Sequence, residues 1–320
     1  MTATPADLLA AARGGDRVAL ARLLSVVEND APGARALAGV TWAGPRAFSV
    51  GLTGAPGAGK STLTDRLIAA SLERAVAPGA LAPVTQVAVL CVDPSSPLTG
   101  GAILGDRIRM QDHALDPRVY IRSLATRGQS GGLSRAVPDA IVALGAVGFE
   151  LVLVETVGVG QVELDVAAIA DATVVVVTPG WGDALQAAKA GLLEVADVFV
   201  VNKADRPGVD ETVRDLAQML ELGHRDDEWV PPVVTTVASE GRGTDQLLDA
   251  IVALRAHLDG PVAAGRRRAR AAALLRRLLA TRLGAEVDRR AASPSFDEAV
   301  GKVAAGTLDP YAAVDALFDA

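Results

Sequence analysis

The sequence predicts an α/β fold in three layers, a mainly parallel sheet between helices, with helical extensions at both ends. Three observations predict it. Seven short apolar runs, at 47–53, 85–92, 118–122, 149–155, 173–178, 197–202 and 232–237, have helix-length segments in most of the gaps between them, the rhythm of a parallel sheet. A glycine-rich turn ending in lysine and serine follows the first run directly. Residue types that hold phosphates, a metal or a base stand just past the ends of the runs, where open parallel sheets bind ligands.

Ahead of the first run, the stretch from about Pro5 to Glu28 reads as helical, and residues 1–45 read as an N-terminal helical extension. Residues 46–260 then form the nucleotide-binding domain, opening on the buried strand Ala47 to Thr53. Gly54-Ala55-Pro56-Gly57-Ala58-Gly59-Lys60-Ser61 matches G-x-x-x-x-G-K-[ST] in full, with Thr62 and a helical period after it. Strand, loop and helix therefore follow in the order of the P-loop NTPases. Glycines let successive backbone N–H groups curl toward one anion, and the helix N-terminus adds its positive end. Lys60 can reach the β- and γ-phosphates, and Ser61 can ligate Mg²⁺.

Asn202-Lys203-Ala204-Asp205, after the apolar run from Asp197 to Val201, has the N-K-x-D form found in GTPases. A carboxylate at Asp205 accepts from both N1–H and the exocyclic amine of guanine, whereas adenine would leave it unpaired. Asn202 can join base and loop, and the Lys203 stem can cover the purine face. Between the two motifs, the strand Phe149 to Val154 ends in Glu155-Thr156-Val157-Gly158 and reads as a Walker-B strand with a switch loop. Its carboxylate would hold the Mg²⁺ shell, and the Gly158 N–H would approach the γ-phosphate.

The chain resembles the MeaB/ArgK/MMAA family of P-loop GTPases, chaperones of adenosylcobalamin-dependent acyl-CoA mutases such as methylmalonyl-CoA mutase. The carrying stretches are Gly54 to Thr62, Val92 to Met110, Glu155 to Gln161, and Asn202 to Asp205; weaker resemblance extends from about Leu8 to about Leu258. The resemblance implies that Asp93 and Asp106 join Ser61 and Glu155 at the Mg²⁺ ion. It implies a mobile switch III from Gly182 to Lys189, with Asp183, Gln186 and Lys189 relaying the nucleotide state to the mutase. It further implies a homodimer through the C-terminal helices.

Several departures from the family pattern bear on partner coupling more than on GTP binding. Gln161 is followed by Val162 and Glu163, where the family has Ser-Glu. The loop below the base reads Val237-Ala238-Ser239 in place of Ser-Ala, so a supporting hydroxyl is lost while the Ala238 N–H remains for the guanine oxygen. Switch III carries Ala184 and Ala190 at positions often polar or basic. Ras-like enzymes orient water with a glutamine directly after the switch-II glycine. Here that position is Val159, and Gln161 lies two residues on. Slow intrinsic GTP hydrolysis, accelerated by a partner, is expected, with Lys60, Glu155, Asp106 and Gln161 as the catalytic set.

The 320 residues carry a net charge of -7, with 50% hydrophobic and only 3% aromatic residues. No apolar run approaches the roughly 18 residues of a membrane span, and the first residues lack a basic, then apolar, leader. A cytoplasmic protein is expected, without membrane or nucleic-acid partners. The single cysteine, Cys91, sits in an apolar run and reads as core. His113, His224 and His257 are scattered. Metal-delivery GTPases, one alternative, usually carry Cys/His clusters. Another alternative, a kinase of a periplasmic amino-acid-binding protein, would be expected to use ATP; a third is a GTP-gated interaction module with negligible turnover. Beyond residue 260, arginines from Arg266 to Arg290 interleave with Leu274, Leu275, Leu278, Leu279, Leu283 and Val287. Residues 261–320 thus read as a helical arm whose leucine stripe packs, in the chain or on a second subunit, while its arginines are solvated.

Overall fold

The structure, a computed structural model, describes residues 3–29, 34–74, 84–93, 110, 113, 115–125, 136–156, 166–180, 195–223, 229–258 and 262–319. All seven expected runs form strands: β1 (Phe48–Gly54), β2 (Val87–Asp93), β3 (Val119–Ala125), β4 (Leu151–Thr156), β5 (Ala172–Val177), β6 (Val198–Asn202) and β7 (Val233–Thr236). They pair in parallel in the order β3-β2-β4-β1-β5-β6-β7. The phosphate-loop strand is therefore central, where the chain order reverses and a doubly wound sheet opens its ligand crevice.

Every residue of β4, β5 and β6 is buried, because helices cover both faces of a parallel sheet. Alternation divides each strand between two cores. On β2, Ala88, Leu90 and Val92 face one apolar cluster, whereas Val87, Val89 and Cys91 face the other. The first cluster takes side chains from α1 (Pro5–Arg13), α2 (Arg17–Glu28), α3 (Ala34–Thr41) and α5 (Val137–Val147). The second takes α4 (Lys60–Arg74) and α7 (Thr244–Leu258), while α6 (Val209–Gly223) covers Val175, Val177, Phe199 and Val201.

The expected helical stretch from about Pro5 to Glu28 is made of two helices. Gly14-Gly15 breaks it, with Gly15 at φ +92°, and Asp16 recaps the chain by accepting from the Val18 and Ala19 N–H groups. These helices share the core of the sheet and are held by arginines, α1 to α5 and α2 to β3. Arg13 Nε donates to Ala146 O at 2.7 Å, and Arg122 of β3 reaches Glu28 at 2.6 Å. Just ahead of β4, the Glu150 carboxylate accepts from the Thr85 and Gln86 N–H groups that lead into β2. Ahead of β3, the Arg118 guanidinium holds the Asp116 carboxyl down to about 2.

The chain divides into two compact units, Met1–Ala263 and Ala264–Ala320. The second holds most of α8 (Val262–Ala291), then α9 (Pro294–Ala304) and α10 (Pro310–Asp319). Within it Arg290 stacks over Phe318 at 4.6 Å. Along the leucine stripe of this unit, Leu275, Leu278, Leu279, Leu283 and Val287 are 49–61% exposed, while Leu274 is half-buried. Among the described residues, no helix is long and apolar enough to cross a membrane.

Candidate nucleotide site

The phosphate loop leaves β1 at Gly54, whose φ is +138°. A Cβ there would stand 2.1 Å from Val176 O on β5, so only glycine lets the loop rise this close to the neighbouring strand. At Gly59, φ +92°, a Cβ would stand 2.4 Å from Asn202 Nδ2. The loop's glycine pattern thus also makes room for the base motif. Lys60 and Ser61 open α4 and are both buried. Lys60 Nζ donates to the Gly54 and Ala55 carbonyls at 2.8 and 3.1 Å, which folds the ammonium over the loop.

Ser61 Oγ donates to Glu155 Oε1 at 2.5 Å, joining the start of α4 to the end of β4. A buried hydroxyl and a buried carboxylate meeting at one point form a hard-oxygen donor pair, the chemistry Mg²⁺ prefers. Asp93 closes β2, the strand beside β4. Asp106, Gln161, Asp183, Gln186 and Lys189 lie outside the described residues.

Asn202 is the hub of the base side. Its Nδ2 donates to Ala58 O in the phosphate loop at 2.8 Å. Its Oδ1 accepts from Thr236 Oγ1 at 3.0 Å and from the Ala238 N–H at 3.1 Å. One buried amide therefore joins the phosphate loop, the end of β6 and the Val237-Ala238-Ser239 loop. Lys203 sits at φ +58°, in the left-handed region where non-glycine residues are uncommon, and its Nζ donates to Gly57 O at 2.6 Å. Asp205 is exposed two residues on. Thr62 is exposed beside the loop, while Val237 and Ala238 are buried and Ser239 is exposed.

Sequence reasoning assigned the Ala238 N–H to the guanine oxygen, whereas in the structure it donates to Asn202. Two further residues join the site. Thr236 braces Asn202, and its place at the end of the last strand is a signal the sequence carries. Arg66 on α4 bonds the carbonyls of Ala238 and Ser239, with no motif to mark it.

A parallel sheet with a full phosphate loop at its central strand and an asparagine-bridged N-K-x-D motif two strands away defines the class: this is a P-loop GTPase. The family model described as methylmalonyl Co-A mutase-associated GTPase MeaB matches residues 20–292, and the chain belongs to this family. A relative from Pyrococcus abyssi, named as a GTPase, is 43% identical over 319 residues, covering 97% of this chain and 95% of its own. A fused isobutyryl-CoA mutase of Geobacillus kaustophilus is 37% identical over 252 residues, which span 74% of this chain and 22% of that one. Among solved structures, a LAO/AO transport system kinase superposes with a TM-score of 0.69 at 28% identity, covering 100% of this chain and 98% of that one.

Proposed function

We propose that this GTPase is a cytoplasmic chaperone of an adenosylcobalamin-dependent acyl-CoA mutase, gating cofactor loading and protecting the mutase from inactivation. The observation that carries the reading is the fused isobutyryl-CoA mutase, in which a segment similar to this chain is part of the mutase polypeptide. The family description, naming association with methylmalonyl Co-A mutase, agrees with it. A kinase reading has the name of one solved relative, the LAO/AO transport system kinase, behind it. Guanine selection by Asp205 and the GTPase name of the more similar relative favour the chaperone.

In this reading the loop Gly54 to Thr62 cradles the phosphates, Lys60 neutralises the β- and γ-oxygens, and Asp205 selects guanine. Ser61 and Glu155, with Asp93 and Asp106, would hold Mg²⁺, which when bound offsets the charge developing on the transferred phosphoryl group. Gln161 is the candidate to orient water, and Asp183, Gln186 and Lys189 carry the nucleotide state to the mutase. The C-terminal helices pair with a second copy, which would cover the exposed leucines. Measuring GTP turnover with and without isobutyryl- and methylmalonyl-CoA mutases tests the reading. Stimulation by at least one mutase is expected; rates unchanged by either would overturn it.

A further inference from the structure

Arg66 lies in the second turn of α4, the helix that the phosphate loop opens. Its Nε donates to Ala238 O at 3.2 Å and its Nη2 to Ser239 O at 3.4 Å, so one guanidinium spans two consecutive carbonyls of the short turn Ala238–Glu240. Ala238 is 3% exposed, and its oxygen also accepts from the Gly241 N–H at 3.2 Å. A peptide is planar and trans, with its C=O and N–H pointing opposite ways. Holding Ala238 O therefore fixes the direction of the Ser239 N–H, the other end of the same peptide. A cation on the oxygen also polarises the group and makes that N–H a stronger donor. The next N–H toward the strand, that of Ala238, already donates to Asn202 Oδ1, and Val237 has no hydroxyl to brace the loop.

We propose that Arg66 is a positioning residue for base recognition, holding the Ala238–Ser239 peptide so that the Ser239 N–H meets the oxygen on C6 of guanine. The inference rests on the guanine reading of Asn202 and Asp205. It makes α4 the shared support of both ends of the nucleotide, with Lys60 and Ser61 at its start for the phosphates and Arg66 one turn further for the base.

Calorimetry on the full chain, Arg66→Ala and Arg66→Lys tests it with four probes. These are GDP, ADP, the diphosphate of 2,6-diaminopurine riboside, which carries an amine on C6 in place of the oxygen and so also lacks the N1–H that Asp205 would accept, and inorganic triphosphate. The unsubstituted protein is expected to prefer GDP to the diaminopurine analogue by on the order of 100-fold. Arg66→Ala should lose about tenfold in GDP affinity, narrow that preference and bind inorganic triphosphate unchanged. Arg66→Lys should recover part of the loss, since one ammonium cannot span both carbonyls as the planar fork does. An unchanged preference in Arg66→Ala, or equal weakening toward GDP and triphosphate, overturns the role. If the unsubstituted protein binds ADP as tightly as GDP, the guanine reading itself fails and takes this role with it. Guanine selection retained alongside an unaltered Arg66→Ala removes the inference alone.

Discussion

The sheet unit and the C-terminal helices treat apolar side chains in opposite ways. In the sheet unit, Leu52, Leu63, Leu67 and Phe199 are fully buried, and both faces of the sheet are covered. In the C-terminal helices, Leu275, Leu279 and Leu283 are each 61% exposed, and among the described residues only Ala313 is buried. The first unit completes its core within one chain, while the second presents an apolar stripe that its own residues leave open. The phosphate loop and the base motif both lie in the completed unit, where bonds of 2.5–3.1 Å join residues from distant strands and need a scaffold that does not yield.

Core substitution should show the largest contrast. Leu67→Ala, in the buried face of α4, is expected to cost about 2–5 kcal/mol, seen as a lower urea midpoint. Leu279→Ala should cost no more than about 0.5 kcal/mol by the same measurement, at a protein concentration where the chain is monomeric. Comparable losses in both would break the comparison. Next in size is Asp205→Asn, expected to weaken GDP by on the order of 100-fold and to favour xanthosine diphosphate, whose C2 carbonyl can accept from the new amide. Titration with both nucleotides checks it.

The stripe itself is tested by Leu275→Glu with Leu279→Glu, one turn apart on α8. If the helices pair with a second copy, light scattering should fall to about half the mass while GDP affinity stays within about twofold, because the nucleotide site lies in the other unit. An unchanged mass sinks the pairing. The smallest effect concerns Asp116, lowered from 3.8 to about 2 by Arg118. A lowered carboxyl stabilises the fold above the unfolded value and loses that contribution as pH falls from about 4 to about 2. Asp116→Asn should lower Tm slightly at neutral pH, with the gap closing below about pH 2, and the exposed pair limits the effect to under about 1 kcal/mol.

Much of the sheet unit was legible. Runs such as Val174 to Val177 and Val198 to Val201 are apolar at every position, which marks a strand buried on both faces. The stretch from Pro5 to Glu28 was legible as helical, and its break at Gly14-Gly15-Asp16 is written in turn and cap residues. Arg66 was not legible, because an arginine on a helix reads as a solvated face until its partner 172 residues away is known.

The sequence by itself determined the strands, the phosphate loop, the guanine motif and the family, since each depends on local period or on side-chain chemistry at fixed spacing. Only the tertiary structure decided that Ser61 meets Glu155, 94 residues on, and that Asn202 meets Ala58, 144 residues back. It also decided that the Ala238 N–H serves Asn202. Such pairs depend on strand order and on the direction of single hydrogen bonds, and a linear pattern carries neither.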